Sequence, residues 1–410
     1  MTSASLTALL DPLARRQAAM VEATITLANI NSGSLNPAGV NTVGEHLVAM
    51  ASDLGATQRR VASAPYRVID DRGTWRESPL GDAFILSKYP NAPRRILLAG
   101  HLDTVFPHDS DFQTCRWLDD NTLNGPGVAD LKGGLVLMLE ALRVLEQSPL
   151  AGSIGWDILL NPDEEIGSPS SAHLFKSLAD NCQIGMIYEP CMPNGHLAGD
   201  RKGSGNFSLI CEGVAAHAGR DHHLGRNAIR ALCDAMAAID DLNGRWPGVT
   251  VNPGYIHGGG ALNIVPDKAV GKFNVRVASH NEMSEVESAL AEIVATANQR
   301  DGISLSLHGA FGRPPKKVEG RQEQLYLLAQ QCGRELGLDI EWHPTGGCCD
   351  GNNLAAAGVV NIDTLGIQGG KIHSSDEYLL ADSFVPRAQL SAMLLLQLAS
   401  QPDHPCWQTA

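Results

Sequence analysis

Five short stretches carry side chains suited to acid–base or metal chemistry: His101-Leu-Asp103, Gly127-Val-Ala-Asp130, Glu164-Glu165, Tyr188-Glu189-Pro190 and His373-Ser-Ser-Asp-Glu. His101 and Asp103 stand two residues apart at the end of an apolar run, Ile96-Leu-Leu-Ala-Gly, which has the length and flanks of a buried strand. Side chains two apart on a strand share a face, so the imidazole has a carboxylate beside it. A His backed in this way suits a metal ligand whose ring is held by its neighbour. Each stretch alone would read as ordinary polar surface. Together, two His and three carboxylates make a mixed nitrogen and oxygen donor set, suited to zinc and also to manganese or cobalt. If one carboxylate bridges two ions, a His and a further carboxylate finish each end.

The elements that must hold these groups are legible around them. Helical spacing is predicted for Leu6 to Ile30 and for Val43 to Leu54, the second ending at Gly55. Two short strands are expected between Arg67 and Ser87, and a helix over Leu135 to Leu145. Trp156 to Leu160 and Met186 to Tyr188 repeat the form of the His101 strand: a short apolar run, then an acidic group in a turn. Strands that deliver such groups at their C-terminal ends, separated by helices, indicate an α/β fold with a mostly parallel central sheet flanked by helices and the site along one edge. The pattern changes near Gly203. Strands at 206–212, 271–277 and 303–308 alternate with helices at 227–242 and 281–298, a β-α-β-β-α-β-like order. The strand-then-ligand pattern resumes after Pro314-Pro315. A catalytic unit of residues 1–202 and 315–410, interrupted by a smaller α+β unit at 203–314, is therefore expected.

At 410 residues, two domains are the default. The net charge of −14 argues against nucleic acid and anionic membranes as partners. No stretch approaches the roughly 20 apolar residues of a membrane span, and the first residues do not read as a secretory signal. Nine scattered Cys without a CxxC pattern fit free thiols in a reducing cytoplasm. Lys132 and Lys371, beside candidate ligands, read as surface lysines. The adjacent Cys348 and Cys349 read as small packed residues.

Ala99-Gly-His-Leu-Asp-Thr-Val, Gly127-Val-Ala-Asp-Leu-Lys-Gly-Gly and Asp163-Glu-Glu-Ile-Gly-Ser, in this order, resemble the M20 family of co-catalytic metallopeptidases and amidohydrolases. That family includes carboxypeptidase G2, acetylornithine deacetylase and succinyl-diaminopimelate desuccinylase, and the resemblance covers nearly the whole chain. It implies two divalent ions, zinc first, with His101 and Glu189 on one, Glu165 and His373 on the other, and Asp130 bridging. It implies that Asp103 orients His101 and that Glu164 is the general base acting on metal-bound water. It also implies a non-proline cis peptide at Asp130-Leu131.

In the smaller unit, Gly213-Val-Ala-Ala-His217-Ala-Gly matches the family's oxyanion-binding histidine motif, typically supplied by the neighbouring subunit. Asn263-Ile-Val-Pro and Phe273-Asn-Val-Arg276 resemble its substrate-binding Asn and Arg segments, and Gly346-Gly-Cys-Cys-Asp350 a loop beside the site. The implied protein is a homodimer through 203–314 that cleaves an amide bond of an N-acyl amino acid or small peptide, as carboxypeptidase G2 does. The other readings are a biosynthetic N-deacylase of the acetylornithine or succinyl-diaminopimelate type, and a non-catalytic binding protein of the same fold. Low aromatic content gives little support for a large stacking platform, which disfavours an obligate folate substrate.

Overall fold

The computed structural model describes residues 3–408. The expected first helix is divided: a 3-10 segment, Ala8–Arg15, contains Pro12, which has no N–H to donate, and an α-helix runs over Gln17–Ala28. The second helix starts earlier than expected, at Pro37, because Asn36 caps it by accepting from the Gly39 N–H. Strand β1 (Thr57–Val61) follows, then a hairpin of β2 (Tyr66–Ile69) and β3 (Trp75–Ser78), then β4 (Ala83–Lys88) and β5 (Arg95–His101). Helix Gly133–Gln147 leads to β6 (Gly155–Asn161), and helix Ala172–Ala179 to β7 (Ile184–Ile187). After β8 (Leu197–Arg201) come β9 (Gly203–Glu212), β10 (Ala216–His217), helix Ala228–Asp240, β11 (Thr250–Gly258), β12 (Ile264–Val265), β13 (Lys268–Val277), helix His280–Ala297 and β14 (Ser304–Arg313). Helix Arg321–Glu335, β15 (Trp342–Thr345), helix Asp350–Ala356, β16 (Val360–Ile362) and helix Phe384–Ser400 complete the major elements.

The larger sheet has the order β1-β4-β6-β5-β7-β16. β6, β5, β7 and β16 are parallel, and β4 and β1 add an antiparallel edge. Alternation along β5 divides its side chains between two cores. Ile96 and Leu98 pack with the helices at 17–28, 133–147 and 384–400, whereas Leu97 and Ala99 pack with Leu174, Phe175 and Leu354 on the other side. The result is an α/β/α sandwich with buried parallel strands at its centre.

Residues 203–313 form a second sheet, β11-β13-β9-β14, antiparallel throughout. Phe207, Leu209, Phe273 and Val275 bury one face under the helices at 228–240 and 280–297. Its strands and two long helices follow the expected β-α-β-β-α-β order. The β2-β3 hairpin crosses to this sheet: Lys272 donates to the Ile69 carbonyl, and Trp75 meets His308 edge-on at 5.7 Å between ring centres.

Register explains why the chemistry converges. His101 pairs with Asn161, so the turn at 163–165 leaves β6 beside His101. Ala99 pairs with Ile187, so Glu189 follows on the other flank. The helix at 133–147 packs so closely on this edge that a Cβ on Gly134 would stand 2.1 Å from the Tyr188 carbonyl oxygen. Gly134→Ala should therefore lower stability by about 1–3 kcal/mol through overpacking. Urea unfolding measures this, and an unchanged midpoint would contradict the close approach.

Candidate metal centre and cleft

Asp130 stands at the middle of the cluster. Its Oδ1 lies 3.1 Å from His101 Nε2, and its Oδ2 lies 3.2 Å from His373 Nε2. On the first side, Glu189 Oε2 is 3.9 Å from His101 Nε2. On the second, Glu165 Oε2 is 3.2 Å from His373 Nε2. The five side chains expected as ligands are thus brought together, with one oxygen of Asp130 facing each half. Asp130-Leu131 is the one cis peptide among the described residues.

Asp103 does more than the spacing implied. Its Oδ1 lies 3.3 Å from His101 Nδ1, which also meets the Asp103 carbonyl at 2.9 Å. The same carboxylate accepts the backbone N–H groups of Glu164 and Glu165, and the Ser34 hydroxyl at 2.6 Å. One buried acid therefore fixes both the His101 ring and the adjacent acidic turn.

Glu164 is buried beside the cluster, and its carboxylate meets Arg313 at 2.8 Å. Arg313 also donates to the Glu164 carbonyl and to Ser168. Across the cleft, Arg276 Nη1 lies 3.0 Å from Cys348 Sγ, and Arg313 Nη1 is 3.9 Å from the same sulfur. These groups line an open cleft of about 880 Å³, within the usual size of small-molecule sites.

His217 and Asn263 are not brought into this cleft. Both are exposed and lie together on the inserted unit, where His217 pairs with Ile264 and the Ala218 N–H donates to the Asn263 carbonyl.

Two expectations about neighbouring residues need correction. Lys132 is a fully buried residue, not a surface lysine; its ammonium donates to the Ile30 carbonyl, and burial pulls its pKa down to about 8. Of the two cysteines, only Cys349 is packed away, capping the helix at 350–356 by accepting from Gly351 N–H; Cys348 faces the cleft.

Two further residues escaped the sequence. Arg313 had no recognisable motif around it. Glu377 lies in the His373 stretch, where a second acid four residues on was the available signal; it is buried and accepts the N–H groups of Gly127, Ala129 and Asp130, which clamps the loop carrying Asp130.

The electrostatics fit a cationic occupant. Burial, reinforced by the charge of Asp130, pushes Glu165 up to about 8 and Glu189 well above the carboxylate range. Burial pushes Glu164 to about 7, although Arg313 pulls it down. Asp130 keeps its charge despite burial, because His101 and His373 hydrogen-bond to it. Hydrogen bonds to Asp130 and Glu165 raise His373 to about 10. Crowded carboxylates and two imidazoles, with Arg313 shared between Glu164 and Asp350, are what a pair of divalent cations would neutralise.

Residues 200–302 match the model of a peptidase dimerisation domain, and residues 85–195 match peptidase family M28. Carboxypeptidase G2 of Pseudomonas sp. (strain RS-16) is 26% identical over 398 residues, covering 94% of this chain and 90% of that protein. Succinyl-diaminopimelate desuccinylase of Nitrosococcus oceani is 28% identical over 311 residues, covering 70% of this chain and 78% of that protein. Among solved structures, aminopeptidase PepT from Bacillus cereus superimposes with a TM-score of 0.71 at 21% identity, covering 93% of this chain and 99% of that one. An M20 family metallo-carboxypeptidase, Sso-CP2 from Sulfolobus solfataricus, gives 0.70 at 15% identity, covering 92% and 98%.

The protonated groups set the sign of a pH dependence. Without a cation, Glu165, with a pKa of about 8, and His373, with one of about 10, hold protons at neutral pH. A dication on the same atoms must expel these protons. Zn²⁺ affinity should therefore rise between about pH 6 and 8, with net proton release on binding. Calorimetric titration in buffers of different ionisation enthalpy measures this directly; buffer-independent heats would contradict it.

Proposed function

We propose that the chain, which is similar to M20 family metal-dependent hydrolases, cleaves the amide bond of an N-acyl amino acid or small peptide. The observation that carries this reading is the Asp130 carboxylate, with one oxygen toward His101 and the other toward His373. His101, Asp130 and Glu189 would hold one divalent cation; Asp130, Glu165 and His373 would hold a second. Zinc is the first choice and cobalt or manganese the alternatives. When bound, such ions supply Lewis acidity toward a carbonyl and lower the pKa of water.

The protein's own groups account for the rest. Glu164 takes the proton of the attacking water and returns it to the departing amine, so that a C–O bond forms as the C–N bond breaks. Its contacts to Arg313 hold it at the cleft wall, and its burial favours a pKa near neutrality. Asp103 positions His101 and the acidic turn. Arg276 holds the substrate carboxylate through paired hydrogen bonds, and its place in the cleft lining supports this role.

We assign residues 1–202 with 315–410 to a catalytic unit, and 203–314 to a lid and dimerisation unit. His217 and Asn263 are exposed and lie outside this chain's cleft, which supports their delivery to the cleft of a second copy, where they would donate to the oxyanion. All nine Cys are free thiols, in keeping with a cytoplasmic setting. Among the described residues, no helix is long and apolar enough to cross a membrane. The desuccinylase relatives favour a second reading, removal of a succinyl or acetyl group from a biosynthetic amine.

A panel of N-acyl amino acids, dipeptides, N-acetylornithine and N-succinyl-diaminopimelate, assayed with Zn²⁺, Co²⁺ or Mn²⁺, separates these substrates. Glu164→Ala should lower kcat by about 10²–10⁴ while metal is retained. Full activity in that variant would remove Glu164 from the mechanism, and no turnover of any panel member by metal-loaded protein would remove the amidase reading.

The composite cleft has its own test. Mixing inactive Glu164→Ala and His217→Ala proteins should restore activity, because exchange of subunits creates one cleft with both groups intact. No recovery despite demonstrated exchange would place His217 outside the reaction.

A further inference from the structure

Away from the cleft cluster, three potential ligands share one face of a two-stranded ribbon. β8 and β15 run parallel, with Leu197 opposite Trp342 and Ala198 opposite His343. This register places His196 opposite Glu341. Glu341 and His343, two residues apart, point to the same side. His343 Nε2 lies 3.5 Å from Glu341 Oε2, and the rings of His196 and His343 are 5.4 Å apart between centres. One donor atom from each of the three residues lies within 4.8 Å of the others. Ligands at ordinary zinc distances on a tetrahedral ion stand roughly 3.4 Å apart. The Glu341–His343 pair is already at that spacing, and rotation of a half-exposed side chain closes the rest.

We propose that His196, Glu341 and His343 form a surface site for a transition-metal dication, separate from the cleft. Two imidazoles and one carboxylate favour Zn²⁺, Ni²⁺ or Cu²⁺ over Mg²⁺ or Ca²⁺, which prefer all-oxygen shells. His196 Nδ1 accepts the Glu341 N–H at 3.2 Å, an exposed bond that water replaces when the nitrogen turns to a metal. The remaining coordination position is open to water.

The position of the site gives it a consequence. β8 ends at Arg201 and β15 at Thr345, and both residues line the cleft. Met192 and Pro193, also in the lining, belong to the turn closed by the Met192 N–H on the His196 carbonyl. An ion on this face clasps, at its outer end, a ribbon whose inner end forms cleft wall.

Untagged protein, equilibrated by dialysis with micromolar free Zn²⁺ and counted by atomic spectrometry, tests the site. His343→Ala and His196→Ala should each hold one ion fewer per chain than the wild type. The paired control His222→Ala/His223→Ala, which removes two other exposed imidazoles, should keep the full count. Zn²⁺ should also raise the wild-type Tm by more than it raises that of His343→Ala. Equal counts in the wild type and His343→Ala, or loss of the ion in the control, would overturn the proposal. The readout is a difference between proteins with the same cleft residues, so its outcome is independent of how many ions the cleft takes and of which amide is cleaved.

Discussion

A concentration of buried negative charge at the C-terminal edge of one sheet is the constraint on which the rest of the structure depends. Asp103, Asp130, Glu164, Glu165 and Glu189 are brought together in a protein interior, where like charges repel strongly and each carboxylate has lost solvation. The fold answers with local counterweights. His101 and His373 hydrogen-bond to Asp130, Arg313 pairs with Glu164, and backbone N–H groups are directed at Asp103 and Glu377. These partners hold the oxygens in place but leave Glu165 and Glu189 with raised pKa values, an electrostatic strain that a bound dication would relieve.

Geometry of this kind requires a rigid frame, and the parallel sheet provides it. β5, β6 and β7 are buried on both faces, so a shift of register would carry Leu97, Leu98 and their neighbours out of two cores at once. The His101–Asn161 and Ala99–Ile187 pairings are therefore secured by apolar packing, although their outcome is polar. The same logic applies to the Asp130 loop, which belongs to no strand. Glu377 binds three of its N–H groups, and Lys132 is anchored below it on the Ile30 carbonyl.

These two kinds of positioning differ in how far they can be read from a sequence. His101, Asp130, Glu164, Glu165, Glu189 and His373 were legible because each sits in a short stretch of distinctive residue types next to an apolar run. The alternation of helices and short strands identified the α/β sheet for the same reason. Arg313 was not legible: it ends an unremarkable strand, and its meaning comes from a contact with Glu164 across 149 residues. Lys132 was misread because lysine is so seldom buried that exposure is the default; only the three-dimensional packing reveals the Ile30 carbonyl beneath it. Cys348 and Cys349 were read alike, yet a single peptide bond separates a thiol in the cleft from a helix cap.

Arg313 also shows how the two units communicate. It is the last residue of β14, where the chain returns from the inserted sheet to the larger one. From that position its guanidinium reaches the carboxylate and the carbonyl of Glu164. Arg276, from the central strand β13 of the same sheet, meets the Cys348 thiol that Arg313 also approaches. A rotation of the inserted sheet relative to the larger one must pass through these contacts. Ser204 pairs with both Arg276 and Arg313, so the two guanidiniums stand at the same end of the inserted sheet. Any shift of that end of the sheet would therefore displace the partner of Glu164 and the proposed carboxylate clamp together.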